Sequence, residues 1–100
     1  MCELYASTPP ERYSVKKRSI RIQGVVTSLA LENEIWHTLE RIAAQEQLPL
    51  AEFISTLYQE VIERHGSITN LASMLRVTCL TYLDQCKQSW VAKGSKGILH

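Results

Sequence analysis

From Asn33 to Gln47, Ile35, Trp36, Leu39, Ile42 and Ala43 fall on one helical stripe, while Glu34, His37, Glu40, Arg41 and Gln45 lie off it. This spacing predicts an amphipathic helix with Asn33 as its cap. Leu48-Pro49 interrupts the run, and Pro49 suits the start of a second helix. There Leu50, Phe53, Ile54, Leu57, Val61 and Ile62 repeat the stripe through His65, and Gly66 ends it. A third helix is predicted from about Asn70 to about Ala92. Leu71, Met74, Leu75, Val77, Cys79, Leu80, Tyr82 and Leu83 cover so much of its circumference that more than one of its faces is buried.

Ahead of the helices the period changes. Ser19–Leu31 is rich in Ile, Val, Thr and Leu, and its second half alternates. Val25, Thr27, Leu29 and Leu31 share one face, and Val26, Ser28 and Ala30 share the other. This predicts one strand bent at Gly24. A hairpin inside the segment would have only Gly24 as its turn, whereas two residues are the usual minimum. A solitary strand leaves its backbone groups unpaired, at about 1–3 kcal/mol for each buried one. The expected remedy is the same strand of a second copy, in a two-fold antiparallel ribbon. Residues 1–15, with Pro9-Pro10, are expected to form an extended arm, 16–92 the domain, and 93–100 a flexible tail.

The chain has 100 residues, enough for one domain. Hydrophobic residues are 45% and charged residues 21%, which excludes a disordered chain. No apolar run is long enough to span a membrane. Met1–Pro10 has neither the basic start nor the apolar centre of a secretory signal. Cys79 and Cys86 on one helix stand about 10 Å apart, beyond disulfide reach. With Cys2 they read as reduced thiols of a cytoplasmic protein. His37, His65 and His100 show no metal spacing, and no nucleophile elbow, phosphate loop or dinucleotide fingerprint is present. Neither an enzyme nor a cofactor is expected.

The net charge of +1 conceals a segregation. Residues 1–31 carry five cationic side chains against two carboxylates, residues 32–65 two against seven, and residues 66–100 four against one. The cluster Lys16-Lys17-Arg18 with Arg21 can sit on phosphates. Trp36, on the helical stripe, is expected in the core. Arg76 is expected to pair with a glutamate of the first or second helix, and Asn70 to cap the third.

Three groups of residues together resemble the ribbon-helix-helix domain family of short bacterial proteins. They are Lys17-Arg18-Ser19-x-Arg21-x-x-Gly24 with Thr27-Ser28-Leu29-x-Leu31-Glu32, then Trp36 with Leu39, Ile42 and Ala43, and then Asn70-Leu71-Ala72-Ser73-x-Leu75-Arg76-Val77 with Leu80 and Tyr82-Leu83. The last group is similar to a third-helix extension of that family. The resemblance implies a mainly α fold with one N-terminal β-strand, an intertwined homodimer with an intermolecular two-stranded ribbon, and an extra C-terminal helix. It also implies a transcriptional regulator whose ribbon enters the DNA major groove. By position, the ribbon face would be Val26, Ser28 and Ala30, helped by Lys16, Lys17, Arg18 and Arg21. Backbone N–H groups near Leu50 and Ala51, in the segment Pro49–Glu52, would meet phosphates. A second reading stays open. The short apolar ribbon face and the acidic helices also suit a protein-interaction module, an antitoxin-like or adaptor dimer with little or no DNA binding.

Overall fold

In the computed structural model the backbone is described for residues 2–99 and side chains for residues 3–86. Two short helices, α1 (Cys2–Ala6) and α2 (Pro10–Tyr13), precede strands β1 (Val15–Ile22) and β2 (Val25–Glu32). Helices α3 (Asn33–Gln45), α4 (Leu50–His65) and α5 (Leu71–Leu99) follow. The fold is mainly helical with one two-stranded antiparallel sheet. No helix among the described residues is long and apolar enough to cross a membrane.

The strand expectation is corrected. Two strands, not one, occupy the N-terminal region, and the ribbon expected between two chains is present within one. Its register runs from Val15↔Glu32 at the open end to Ile22↔Val25 at the turn. The turn is two residues, Gln23 and Gly24, with φ of 52° and 81°. Positive φ at both central positions marks the tight hairpin turn whose twist matches that of the flanking strands. The backbone groups assigned to a second molecule are therefore paired along the chain's own β1. The N-terminal segment also differs from the extended arm expected over 1–15, because Pro10 at the first helical position starts a turn that Arg12 and Glu11 fasten to α3. The tail expected over 93–100 lies outside the residues whose side chains are described.

The pleat divides the hairpin. Ile20 and Ile22 of β1 and Leu29 and Leu31 of β2 are buried together against Trp36, Leu39 and Ala43 of α3, Phe53 and Ile54 of α4, and Leu75 and Cys79 of α5. Gly66, with φ of 84°, ends α4. The Asn70 Oδ1 accepts the Ser73 N–H at 3.0 Å and caps α5 as read from the sequence. Arg76 does find a glutamate, but on the strand rather than on a helix. Its Nε and Nη2 donate to the two carboxylate oxygens of Glu32 at 2.8 and 3.3 Å, joining α5 to the end of β2.

Candidate nucleic-acid interface

Alternation along two paired strands places one parity on the hairpin's outer face, from Val15 opposite Glu32 at the open end through six side chains nearer the turn. They stand opposite one another as Lys17↔Ala30, Ser19↔Ser28 and Arg21↔Val26, and all six are exposed. Val26, Ser28 and Ala30 thus lie where the period-two reading put them. The sequence reading missed that β1 shares this face and that Ser19 belongs to it. The signal was there in the alternation of Lys17, Ser19 and Arg21 with Ile20 and Ile22, had β1 been separated from β2 at Gln23-Gly24.

The basic cluster is sorted by the same pleat. Lys17 and Arg21 point outward. Lys16 and Arg18 belong to the opposite parity, at the edge of the helical layer. Arg18 is committed there: its guanidinium carbon sits 4.8 Å from the centre of the Trp36 ring, and its Nη1 is 3.6 Å from Glu40 Oε2. The Trp36 indole N–H donates to the Lys16 carbonyl at 2.9 Å, which fixes the ring under the strand. Arg18 therefore does not share the ribbon face with Arg21. Among the described residues, neither Lys17 nor Arg21 has a carboxylate at ion-pair distance. Arg21 makes one long contact, from Nη1 to the Gly24 carbonyl at 3.4 Å, which draws it toward the turn.

Both ends of the hairpin are fastened to helices. At the tip, the Gln23 backbone N–H donates to Ser55 Oγ at 3.1 Å, and Gln23 Nε2 reaches the Ser55 carbonyl and hydroxyl, each at 3.2 Å. At the open end the Asn33 N–H donates to the Ser14 carbonyl at 2.9 Å, and Asn33 Nδ2 donates to the Glu11 carbonyl at 2.8 Å. Arg12 and Glu34 pair at 3.0 Å beside them.

The Ser55 anchor lies about one helical turn beyond Ala51, so the hairpin tip and the start of α4 are neighbours. The first backbone bond of α4 is from the Phe53 N–H to the Pro49 carbonyl. The N–H groups of Leu50, Ala51 and Glu52 precede it, and Pro49 supplies no side-chain cap. The side chains of Leu50 and Ala51 are half-buried against the core and carry no polar group, so their backbone N–H groups are the donors available to a ligand there. Glu52 is exposed in this first turn, where its carboxylate opposes an approaching anion.

On another side of the molecule, α3, α4 and α5 enclose an open groove of about 860 Å³ whose apolar lining includes Ile42, Phe53, Leu57, Val61, Met74 and Val77. Beyond it α5 exposes Leu80 and Leu83. Among the described residues no cluster of His, Cys, Asp or Glu could hold a metal ion.

The geometry has counterparts among known proteins. The sequence model of the ribbon-helix-helix domain matches residues 15–83. Among solved structures, an uncharacterized protein from Bordetella pertussis Tohama I is similar with a TM-score of 0.84 and 38% identity, over 89% of this chain and 71% of that one. No protein of curated function matches.

Proposed function

The chain belongs to the ribbon-helix-helix domain family, and from that premise we propose that it is a homodimeric DNA-binding protein, a transcriptional regulator whose hairpin enters the major groove. The observation that carries this reading is the division of cations on β1. Lys17 and Arg21 stand exposed and unpaired on the ribbon face, while Arg18 is stacked on Trp36 and paired with Glu40. A two-stranded ribbon fits the groove, which is about 12 Å wide. Lys16 at the hairpin's edge and the backbone N–H groups of Leu50 and Ala51 would then face phosphates. The groove between α3, α4 and α5 supports a second copy as partner, because Val77 and Leu80 expose 59% and 63% of their surface beside an apolar hollow of that size.

Binding to random-sequence duplex DNA, followed by fluorescence anisotropy, tests the reading. Wild-type protein binds at low salt and weakens steeply as salt rises. Lys17→Ala with Arg21→Ala lowers affinity at least about tenfold, whereas Arg18→Ala, corrected for any unfolded fraction, changes it little. A double variant that binds as tightly as wild type overturns the proposal. Sedimentation of Val77→Glu should show a monomer where wild type is a dimer.

A further inference from the structure

Three helices leave a hollow that the fold does not fill. The groove of about 860 Å³ between α3, α4 and α5 has Phe53, only 9% exposed, as its floor, with Ile42, Leu57, Val61 and Met74 around it. Sites for small organic molecules are apolar concavities of about 300–1,000 Å³ in which a few polar groups fix the ligand's orientation. The hollow has that size and that lining.

It also holds a polar group with nothing to bond. Tyr82 of α5 lines the hollow, and its hydroxyl oxygen is shut off from solvent with no hydrogen-bond partner among the described residues. A buried tyrosine hydroxyl ordinarily finds a partner, since leaving one unpaired costs free energy. Its neighbours do not supply one. The Thr78 hydroxyl, one turn earlier on the same helix, already donates to the Met74 carbonyl at 2.9 Å. The Cys86 thiol is a weak donor and a weak acceptor. Together with burial, that thiol raises the phenol above its ordinary value of 10, so Tyr82 is a neutral O–H donor at neutral pH.

The charges at the hollow oppose one another. Glu46 is the charged side chain among the lining residues, and it is exposed. Arg41 stands over the Tyr82 ring, its guanidinium carbon 5.6 Å from the ring centre. A bound carboxylate would face Glu46 and a bound cation would face Arg41, so neither sign of charge is selected.

We infer that the hollow is a binding site for a neutral, largely apolar small molecule with one carbonyl group, whose oxygen accepts a hydrogen bond from the Tyr82 hydroxyl. The inference does not rest on DNA binding. The proposed second copy would meet the exposed Val77 and Leu80, and the ligand lies inward of them, against Phe53.

The experiment is titration of the isotope-labelled full chain, without DNA, followed by amide NMR shifts. Four probes are used. Benzylacetone joins a phenyl ring to a ketone, butylbenzene lacks the carbonyl, and phenylbutyrate and phenylbutylamine are charged analogues. Benzylacetone should shift the amides of Phe53, Leu57, Met74 and Tyr82. It should bind about two- to tenfold tighter than butylbenzene, the range that one neutral hydrogen bond supplies, and tighter than both charged probes. In Tyr82→Phe the preference for the ketone disappears while Tm does not fall, because only an unpaired hydroxyl has been removed. Leu80→Glu, at a position 63% exposed and outside the lining, retains binding. Equal affinity of wild type for benzylacetone and butylbenzene, tighter binding of either charged probe, a lower Tm in Tyr82→Phe, or no shifts at the groove with any probe overturns the inference. Shifts that appear in Leu80→Glu but not in wild type mean that a second copy fills the hollow, which overturns the inference and leaves the proposed function standing. Absence of duplex binding at low salt overturns the proposed function and leaves this site standing.

Discussion

Gly24 is where the hairpin is most directly testable, because its cost can be separated from packing. Its φ is +81°, and a Cβ built there would meet no atom within 4 Å. Replacing it by Ala therefore adds no clash and leaves only the backbone penalty of an L-residue in the left-handed region, about 1–2 kcal/mol. For a domain of this size each kcal/mol moves Tm by about 4–8 °C, so Gly24→Ala should melt roughly 4–16 °C below wild type. Gly66 supplies the internal control, since its φ is +84° and its surroundings are equally open. Gly66→Ala should lose a similar amount from the far end of α4. The assay is thermal unfolding by circular dichroism, paired with amide hydrogen exchange. Exchange should quicken across Ile22↔Val25 and its neighbours in Gly24→Ala only. If Gly66→Ala falls as expected while Gly24→Ala melts with wild type, residue 24 does not hold a left-handed turn. The hairpin, with every statement about its outer face, is then refuted.

Other outcomes follow from contacts inside the fold. The Arg76 hydrogen bonds hold the Glu32 carboxyl below its ordinary value of 4.5, so this pair's contribution is present above that pH and is lost as pH falls through the lowered value. Denaturant titrations across this acid range should show a smaller loss of stability in Glu32→Gln than in wild type. Burial pushes the Cys79 thiol up to about 11, so in Cys2→Ser protein at mildly alkaline pH a thiol reagent should modify Cys86 quickly and Cys79 only on unfolding. Trp36→Phe deletes the donor to the Lys16 carbonyl and should cost about 1–3 kcal/mol in chemical denaturation. Ile54, fully buried, should cost about 2–5 kcal/mol when cut to Ala, a large part of the 5–15 kcal/mol typical of a domain.

Helices α3, α4 and the start of α5 were legible because each has an amphipathic or apolar stripe bounded by a residue with one clear local meaning, such as Pro49, Gly66 or Asn70, whereas the short α1 and α2 carry no such stripe. The first strand was not, since Lys16, Lys17 and Arg18 interrupt its alternation with three successive charges. Its inward parity includes Lys16 and Arg18, which reads as polar until Trp36 is seen to cover Arg18. The turn was hidden because Gln is an unusual occupant of a left-handed position, where Asn, Asp or Gly would have announced it. Val26, Ser28 and Ala30 could be assigned to a face from local period alone. The fate of Arg18 could not, because Trp36 and Glu40 come from the next helix, and Glu32 meets Arg76 from a residue 44 positions away. Side chains whose role depends on a distant partner are the ones that local pattern leaves undetermined.

The division of labour within the hairpin bears on how tightly a ribbon of this size could hold a groove. Its inner face is anchored by Ile20, Ile22, Leu29 and Leu31, so residues on the outer face carry no share of the core. Its tip is tied to α4 by Gln23 and Ser55, and its open end to α3 and α2 by Asn33, Ser14 and Glu11. An isolated hairpin is marginal in water and would lose conformational freedom on binding. This one is already held at both ends, so what remains to be ordered is chiefly the side chains of Lys17 and Arg21, at about 0.5–1.5 kcal/mol each. On the proposed function, each hydrogen bond made by these charged side chains, at about 1.5–3 kcal/mol, would offset that cost. On the proposed function the helices would thus act on recognition without touching bases, by removing the backbone entropy that a free two-stranded ribbon would have to surrender.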